Sequence, residues 1–89
     1  MYIILVYDVD ESRVAKVNKY LKKYLLWRQN SVFEGELSDV LIERMIKGLK
    51  KIIIDSDSSD SVVIYKFKVK SYIEDIIIGS EKGDNTNII

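Results

Sequence analysis

The sequence predicts an α+β domain, a ferredoxin-like βαββαβ sandwich in which two helices cover one face of an antiparallel sheet. Three observations support this fold class. The 89 residues have the length of one domain. Two stretches with helical periodicity each follow extended chain, and another extended stretch comes after the second helix. We expect the domain to occupy residues 1–79 and a C-terminal tail to occupy residues 80–89.

The first predicted strand is Tyr2–Val9, whose β-branched and aromatic residues form a continuous apolar run. Such a run is typical of a central strand that is covered on both sides. Asp10 and Ser12 are candidate caps of the helix that follows. The apolar residues of this helix recur at spacings of three and four and share one face: Val14, Val17, Tyr20, Leu21 and Tyr24.

A row of lysines, Lys16, Lys19 and Lys23, lies on the opposite face of the first helix. Such a row is more often a solvated surface than a phosphate-binding site, and both interpretations stay open. Residues 1–51 carry ten Lys/Arg and seven Asp/Glu, whereas residues 52–89 carry four and seven. The basic first part permits an anionic partner without establishing one.

Leu26 to Leu37 is predicted to be extended, with a bulge, bend or tight hairpin, because its alternation of apolar and polar residues is imperfect. A second helix is expected after Ser38, with Asp39 in its first turn near the positive end of the helix dipole. Gly48 lies inside this helix and marks either a close packing point or a mild weakness. The apolar stripe comprises Leu41, Ile42, Met45, Ile46, Leu49 and Ile52.

The stretch Asp55–Ser61 has no apolar residue and is predicted to be a loop. Its spaced aspartates lack the glycine and the final glutamate that a calcium loop uses, which disfavours calcium. Ser61–Val69 alternates and predicts a strand, and Asp75–Gly79 predicts a further one. The tail ends in two isoleucines at residues 88–89, which we interpret either as a strand added to a neighbour's sheet or as disordered chain.

The absence of two residue types limits the catalytic and metal-binding chemistry that the chain can perform. With no cysteine and no histidine, the chain makes no disulfide, thiolate nucleophile, imidazole base or typical zinc site. Catalysis would therefore use carboxylates, hydroxyls, Lys, Arg or a hard metal ion. The apolar run Tyr2–Tyr7 is too short to span a bilayer and follows no basic leader, so we expect a cytoplasmic protein with no membrane partner.

Asp8 ends the first apolar run and has two interpretations. It either caps the next helix and stops the strand, or it is a metal ligand. Two helices leave one face of the sheet bare, which invites dimerisation. In a symmetric dimer the two-fold axis would bring Asp8 opposite its copy, and two carboxylates with several waters suit Mg²⁺.

Three stretches resemble the small CRISPR-associated adaptation proteins, the second of the two universal CRISPR-associated families. They are YIILVYDV at Tyr2–Val9, Arg13 early in the first helix, and RQNSVFEGEL at Arg28–Leu37. The last is similar to the family segment Arg-x-Gln-x-Ser-Val-Phe-x-Gly-x-Leu and is the most specific. The similarity continues through the second helix to the IIIG stretch and so covers nearly the whole chain.

The resemblance implies a ferredoxin-like homodimer in which the two copies of Asp8 meet and bind Mg²⁺ or Mn²⁺. Members of this family are described as metal-dependent endonucleases that cut single-stranded RNA or double-stranded DNA. Others form a non-catalytic bridge between dimers of the larger CRISPR-associated integrase during spacer acquisition. The family's C-terminal strand is commonly exchanged between protomers, which suits Asp75–Gly79 and residues 88–89.

Carried over by resemblance, nucleic-acid contacts fall on Tyr7, Arg13, Arg28, Ser31 and Phe33. The same positions have simpler interpretations, because Tyr7 and Phe33 also suit a core and Arg28 also suits an ion pair with Glu34. Some relatives carry an arginine two residues before Arg13, where this chain has Glu11, which argues against a strong grip on nucleic acid.

Two further hypotheses remain beside a nuclease. In a scaffold, the lysines of the helix faces would hold duplex phosphates, and binding would weaken steeply with salt. These lysines are Lys16, Lys19, Lys23 and Lys47. A ribonuclease toxin of the virulence-associated type D would share the fold and the dimer.

Overall fold

The computed structural model describes residues 1–53 and 59–83. The elements follow in the order β1, α1, β2, β3, α2, β4 and a short 3₁₀ helix. The strands pair in the order β2-β3-β1-β4, and every neighbouring pair is antiparallel. This is the predicted βαββαβ arrangement. The bounds are β1 Tyr2–Asp8, α1 Glu11–Leu21, β2 Leu26–Gln29, β3 Val32–Glu36, α2 Asp39–Ile52, β4 Ser61–Phe67 and the 3₁₀ helix Lys70–Tyr72.

One face of the sheet packs against the two helices. Alternate residues of β1, Ile3, Leu5 and Tyr7, point toward the helices and are buried. Leu5 has Phe33 of β3 and Ile64 of β4 as its cross-strand neighbours, so these side chains share the helix-facing side. The helices complete the hydrophobic core with Val17, Leu21, Ile42, Met45 and Leu49.

The other face is not covered by α1 or α2, and we call it the open face. Its side chains come from the remaining positions of the same ladders. It is mostly apolar, with some acidic residues and partly exposed hydrophobic side chains. The open face includes Ile4, Val6 and Asp8 of β1, Val32 and Glu34 of β3, and Val63 and Tyr65 of β4.

Both helices begin at the predicted capping residues. The Asp10 side chain accepts a hydrogen bond from the Ser12 backbone N–H, and Ser38 Oγ accepts one from Leu41 N–H at 3.2 Å. The first helix ends at Leu21, three residues before the apolar pattern ends. Tyr24 still packs on the core from the turn that follows, which explains why the spacing continues past the helix.

A tight hairpin joins β2 and β3, and a bulge interrupts their ladder between Trp27 and Gln29. Both features are among those predicted for this stretch. Asn30 in the hairpin turn has φ 45°, the left-handed region that asparagine tolerates better than most residues. Its carbonyl accepts a hydrogen bond from the indole N–H of Trp27 at 2.9 Å, and this bond connects the turn to the bulged strand β2.

The C-terminal part differs from the prediction. β4 ends at Phe67, two residues early, and Asp75–Gly79 is not a strand in the described protomer. The apolar run there stays largely unburied, with Ile76 77% and Ile78 95% exposed. An apolar stretch forms a strand only where its backbone can pair with the edge of a sheet. The predictions for residues 55 and 57 and for residues 88–89 fall outside the described residues.

Candidate functional site

Asp8 is the last residue of β1, and its side chain is exposed. It lies at the end of the open face, since it alternates with Ile4 and Val6. Its Cα partner is Ser61, the first residue of β4. The carboxylate is therefore presented at one end of the sheet, on the side away from the helices.

The hairpin turn reaches the same end of the sheet. The backbone N–H of Tyr7 donates to the carbonyl of Ser31 at 3.1 Å. Ser31 is half-buried and belongs to the turn between β2 and β3. The structure thus brings Ser31 to the strand end that carries Asp8, as a shared site requires.

Tyr7 and Phe33 lie in the hydrophobic core. Phe33 is 0% and Tyr7 5% exposed, and their ring centroids are 6.3 Å apart. The Tyr7 hydroxyl donates to Asn18 Oδ1 of α1, and burial raises the pKa of Tyr7 above its ordinary value. In the described protomer these rings are core residues that support the strand beneath Asp8, and they do not offer a surface for nucleic acid. The core interpretation therefore replaces the direct-contact one.

Arg13 is held by an acidic residue that the sequence did not single out. Its Nε–H donates to Asp60 Oδ2 at 2.5 Å, and the backbone N–H of Asp10 donates to Asp60 Oδ1 at 2.7 Å. The Asp60 carboxylate is 3% exposed. The acidic stretch before β4 was visible in the sequence, but nothing in the spacing identified which aspartate meets a residue 47 positions away.

Asp10 has a separate structural function at the start of α1. Its carboxylate accepts hydrogen bonds from the Ser12 backbone N–H at 3.0 Å and from Ser12 Oγ at 2.5 Å. These two bonds stabilise the ionised form and lower the pKa of Asp10 below its ordinary value. Asp10 is therefore engaged as a helix cap beside Asp8.

Arg28 lies on β2 and faces two carboxylates. Its Nη1 is 3.6 Å from Glu34 Oε1, and its Nη2 is 3.9 Å from Glu81 Oε1. Glu34 is buried and also accepts the Tyr2 hydroxyl at 2.7 Å. Burial and the Glu34 carboxylate raise the pKa of Tyr2 well above its usual range. The ion pair with Glu34 is the simpler interpretation of Arg28 and is confirmed. Strand β3 separates β2 from β1, so Arg28 is not beside Asp8.

The candidate lysines lie in the helix layer. Lys16 and Lys19 of α1 are exposed on the helix side of the molecule, away from the open face. A shallow groove on α2 is bordered by further basic residues, Arg44, Lys47 and Lys50. One protomer therefore does not bring Lys16 and Lys19 together with Asp8.

A single protomer supplies few metal ligands. Within residues 1–53 and 59–83, no group of three or more histidine, cysteine, aspartate or glutamate side chains is placed to hold a metal ion. Asp8 offers one exposed carboxylate. Oxygen donors of this kind fit Mg²⁺ or Mn²⁺, but one carboxylate does not complete a site. In the same described residues, no helix has the length and apolarity to cross a membrane.

The comparisons with known proteins show the family to which the chain belongs. The model of the family described as CRISPR associated protein Cas2 matches residues 1–74. This chain belongs to the Cas2 family. It is 56% identical, over the full length of both chains, to a Pyrococcus furiosus protein named CRISPR-associated endoribonuclease Cas2. A Methanocaldococcus jannaschii protein of the same name is 45% identical over 100% of this chain and 76% of its own.

A crystal structure described as cas2 has the same fold. It superposes with a TM-score of 0.82 at 48% sequence identity and covers 92% of this chain and 90% of its own. The fold and the family inferred from YIILVYDV and RQNSVFEGEL are confirmed. Membership of the Cas2 family also favours the CRISPR-associated interpretation over the toxin of the virulence-associated type D.

Proposed function

We propose that this Cas2-family protein is an endoribonuclease that acts as a homodimer with Asp8 as its catalytic carboxylate. The observation that carries the proposal is the exposed Asp8 at the end of β1, on the open face of a chain similar to proteins named endoribonucleases. A carboxylate on this face meets its own copy when two open faces pack about a two-fold axis that passes beside it.

The apolar character of the open face supports the homodimer. Val63 and Tyr65 of the edge strand β4 are 47% and 54% exposed in the protomer. Ile4, Val6 and Val32 line the same face. A second copy that covers this face would bury these side chains and bring the two Asp8 carboxylates toward each other. The tail that includes Ile76–Ile78 is proposed to contribute an exchanged strand.

Asp8 and its symmetry mate are the residues that would hold Mg²⁺ or Mn²⁺. When bound, the cation would activate water and stabilise negative charge at the attacked phosphate. The side chains of the protein itself would have two further functions. The Asp8 pair would bind and orient the cation. Ser31, whose backbone carbonyl accepts the N–H of Tyr7 in the adjacent turn, is proposed to donate a hydrogen bond from its hydroxyl to a phosphate oxygen. With a cation held by such a pair, activation of water would not require the imidazole that the chain lacks.

The experiment is cleavage of labelled single-stranded RNA and duplex DNA by the wild type and Asp8→Asn, each with Mg²⁺, Mn²⁺ or a chelator. Asp39→Asn is the matched control, because Asp39 is an equally exposed aspartate in the helix layer. Cutting of RNA that depends on metal and on Asp8 but not on Asp39 supports the proposal. Equal cutting by Asp8→Asn contradicts it, and cutting of DNA instead of RNA assigns the other substrate.

The basic helix layer favours a second function, a scaffold that binds duplex phosphates within a CRISPR-associated integrase complex. Its exposed cations are on the side away from Asp8: Lys16, Lys19, Lys47 and Lys50. Such binding would not depend on Asp8. We therefore expect duplex affinity to fall steeply with salt and to drop in a Lys16→Gln, Lys19→Gln double variant but not in Asp8→Asn. Unchanged affinity in the double variant would contradict this function.

The cytoplasm remains our proposed location for both activities.

A further inference from the structure

A buried carboxylate beside the site connects two separate parts of the chain. Asp60 directly precedes β4, and its side chain is 3% exposed. Oδ1 accepts the backbone N–H of Asp10 at 2.7 Å, and Oδ2 accepts Arg13 Nε–H at 2.5 Å. Burying a carboxylate is costly unless it is paired and hydrogen-bonded. The two hydrogen bonds and the ion pair with Arg13 therefore compensate the cost of burying the Asp60 carboxylate.

These contacts lie close to Asp8 both along the chain and across the sheet. Asp10 follows Asp8 by two residues. Ser61, which is next to Asp60, is the Cα partner of Asp8 in the ladder between β1 and β4. The Asp60 carboxylate thus ties the segment that leaves Asp8 to the strand that pairs with Asp8.

The tie is separate from the helix cap. The side chain of Asp10 caps α1 through Ser12, whereas it is the backbone N–H of Asp10 that donates to Asp60. Removing the charge of Asp60 is therefore expected to leave the cap in place and to loosen the turn between β1 and α1. Arg13 occupies the first turn of α1, so its ion pair fixes the same turn from the helix side.

We propose that Asp60 is a positioning residue for Asp8: through Arg13 and the Asp10 peptide it fixes the turn after β1, and with it the direction in which the Asp8 carboxylate faces a divalent cation. The inference rests on the proposed function, in which Asp8 binds that cation. In this proposal Arg13 stabilises the turn after Asp8 through its ion pair with Asp60, and it does not contact phosphate directly.

The test compares Asp60→Asn with the wild type. Asparagine has nearly the same shape, but it replaces one carboxylate oxygen with an NH₂ group and removes the charge that Arg13 pairs with. Glu36→Gln is the matched control, because Glu36 forms an ion pair of 2.6 Å with the N-terminal amine beside the opposite end of β1. Both variants lose one carboxylate from an ion pair, and only one of them lies near Asp8.

The first readout is the affinity of the nucleic-acid-free protein for Mn²⁺, measured from the electron paramagnetic resonance of free Mn²⁺. We expect Asp60→Asn to bind Mn²⁺ about 10- to 100-fold more weakly, as is typical when an outer group that orients a metal ligand is removed. Glu36→Gln is expected to retain the wild-type affinity, and Asp8→Asn gives the value for loss of the site. Unchanged affinity in Asp60→Asn would overturn the proposal.

The second readout is amide hydrogen exchange by NMR in the metal-free protein. We expect exchange at the Asp10 amide to become at least about 10-fold faster in Asp60→Asn, while the Leu5 amide in the middle of β1 keeps its rate. Unchanged exchange at Asp10 would show that Asp60 does not fix the turn. This readout decides that point even if the wild type and Asp8→Asn bind Mn²⁺ equally, a result that would contradict the proposed function instead.

If circular dichroism shows that Asp60→Asn does not fold, Arg13→Lys takes its place. Lysine keeps the charge but not the fixed geometry of Nε–H. The same weakening of Mn²⁺ affinity and the same faster exchange at Asp10 are expected in direction. Wild-type values of both in a folded Arg13→Lys protein would overturn the proposal.

Discussion

Gly48 of α2 faces the ring of Tyr20 of α1 so closely that any side chain at position 48 would clash with the Tyr20 hydroxyl and its ring carbon Cζ. Moving the ring away would break the hydrogen bond that Tyr20 Oη donates to the carbonyl of Met45 at 3.0 Å. The two helices therefore depend on a glycine where they meet. The sequence alone left open whether Gly48 was a packing point or a weakness, and the structure shows a packing point.

We expect Gly48→Ala to destabilise the protein by about 1–3 kcal/mol, the usual cost of overpacking. In an exposed helix the same change would stabilise by about 1 kcal/mol. Equilibrium denaturation measures the difference. The control is Gly48→Ala in a Tyr20→Ala background, where the clash is gone and the substitution is predicted to stabilise. Destabilisation of equal size in both backgrounds would contradict the packing explanation.

The hydroxyl of Tyr20 also predicts a loss of stability at alkaline pH. Burial, with a smaller contribution from Tyr24, raises the pKa of Tyr20 from 10.0 to about 12. Because the folded state holds this proton more tightly than the unfolded state, the contribution is complete below pH 10 and is lost as the pH rises toward 12. We expect the free energy of unfolding of the wild type to fall more steeply than that of Tyr20→Phe across this interval. Parallel curves would contradict the prediction.

The two carboxylates beside Arg28 are predicted to contribute unequally. Glu34 is buried, so Arg28→Gln leaves a charged group without its cation and should cost about 1–3 kcal/mol of stability. The contact between Arg28 and Glu81 is longer, at 3.9 Å, and more exposed. We expect Glu81→Gln to cost less than about 1 kcal/mol. Denaturation of both variants measures the difference, and equal losses would show that the tail contact is as important as the contact within the sheet.

The open face is predicted to mediate dimerisation. We expect Val63→Lys to convert the protein from dimer to monomer in analytical ultracentrifugation, because an ammonium group would have to be desolvated inside the interface. Val40→Lys is the control, since Val40 is also an exposed valine but lies on α2 in the helix layer. A dimer that survives Val63→Lys and dissociates with Val40→Lys would place the interface on the other side of the molecule.

Local patterns in the sequence were sufficient to predict most elements of the fold. The apolar run after Met1 predicted a central strand, and Ser38 marked the start of α2 because its side chain satisfies a nearby backbone N–H. These effects act between residues that are close along the chain. The apolar run Asp75–Gly79 forms no strand within the described protomer, because pairing depends on the position of a distant sheet edge, and its exchange between protomers stays a prediction.

The site was less predictable for the same reason. Asp8 was identifiable because a carboxylate directly after a buried run stands out in the sequence. Asp60 was not, since its importance comes from contacts with Asp10 and Arg13 that only the folded chain creates. Phe33 matched a family motif, yet its complete burial comes from the packing of α1 and α2 over the sheet. Chemical type can be read from the sequence, but the surroundings of a side chain require the fold.

The most direct test of the account is the initial rate of RNA cleavage in Mn²⁺ by the wild type and Asp8→Asn, purified in parallel and freed of contaminating nucleases. If Asp8 binds the cation, its loss should reduce the rate by more than the 10- to 100-fold that is typical of an outer-shell change, hence by at least about 100-fold. Asp39→Asn should cut at the wild-type rate. Cleavage by Asp8→Asn at the wild-type rate would contradict the central claim that Asp8 is the catalytic carboxylate.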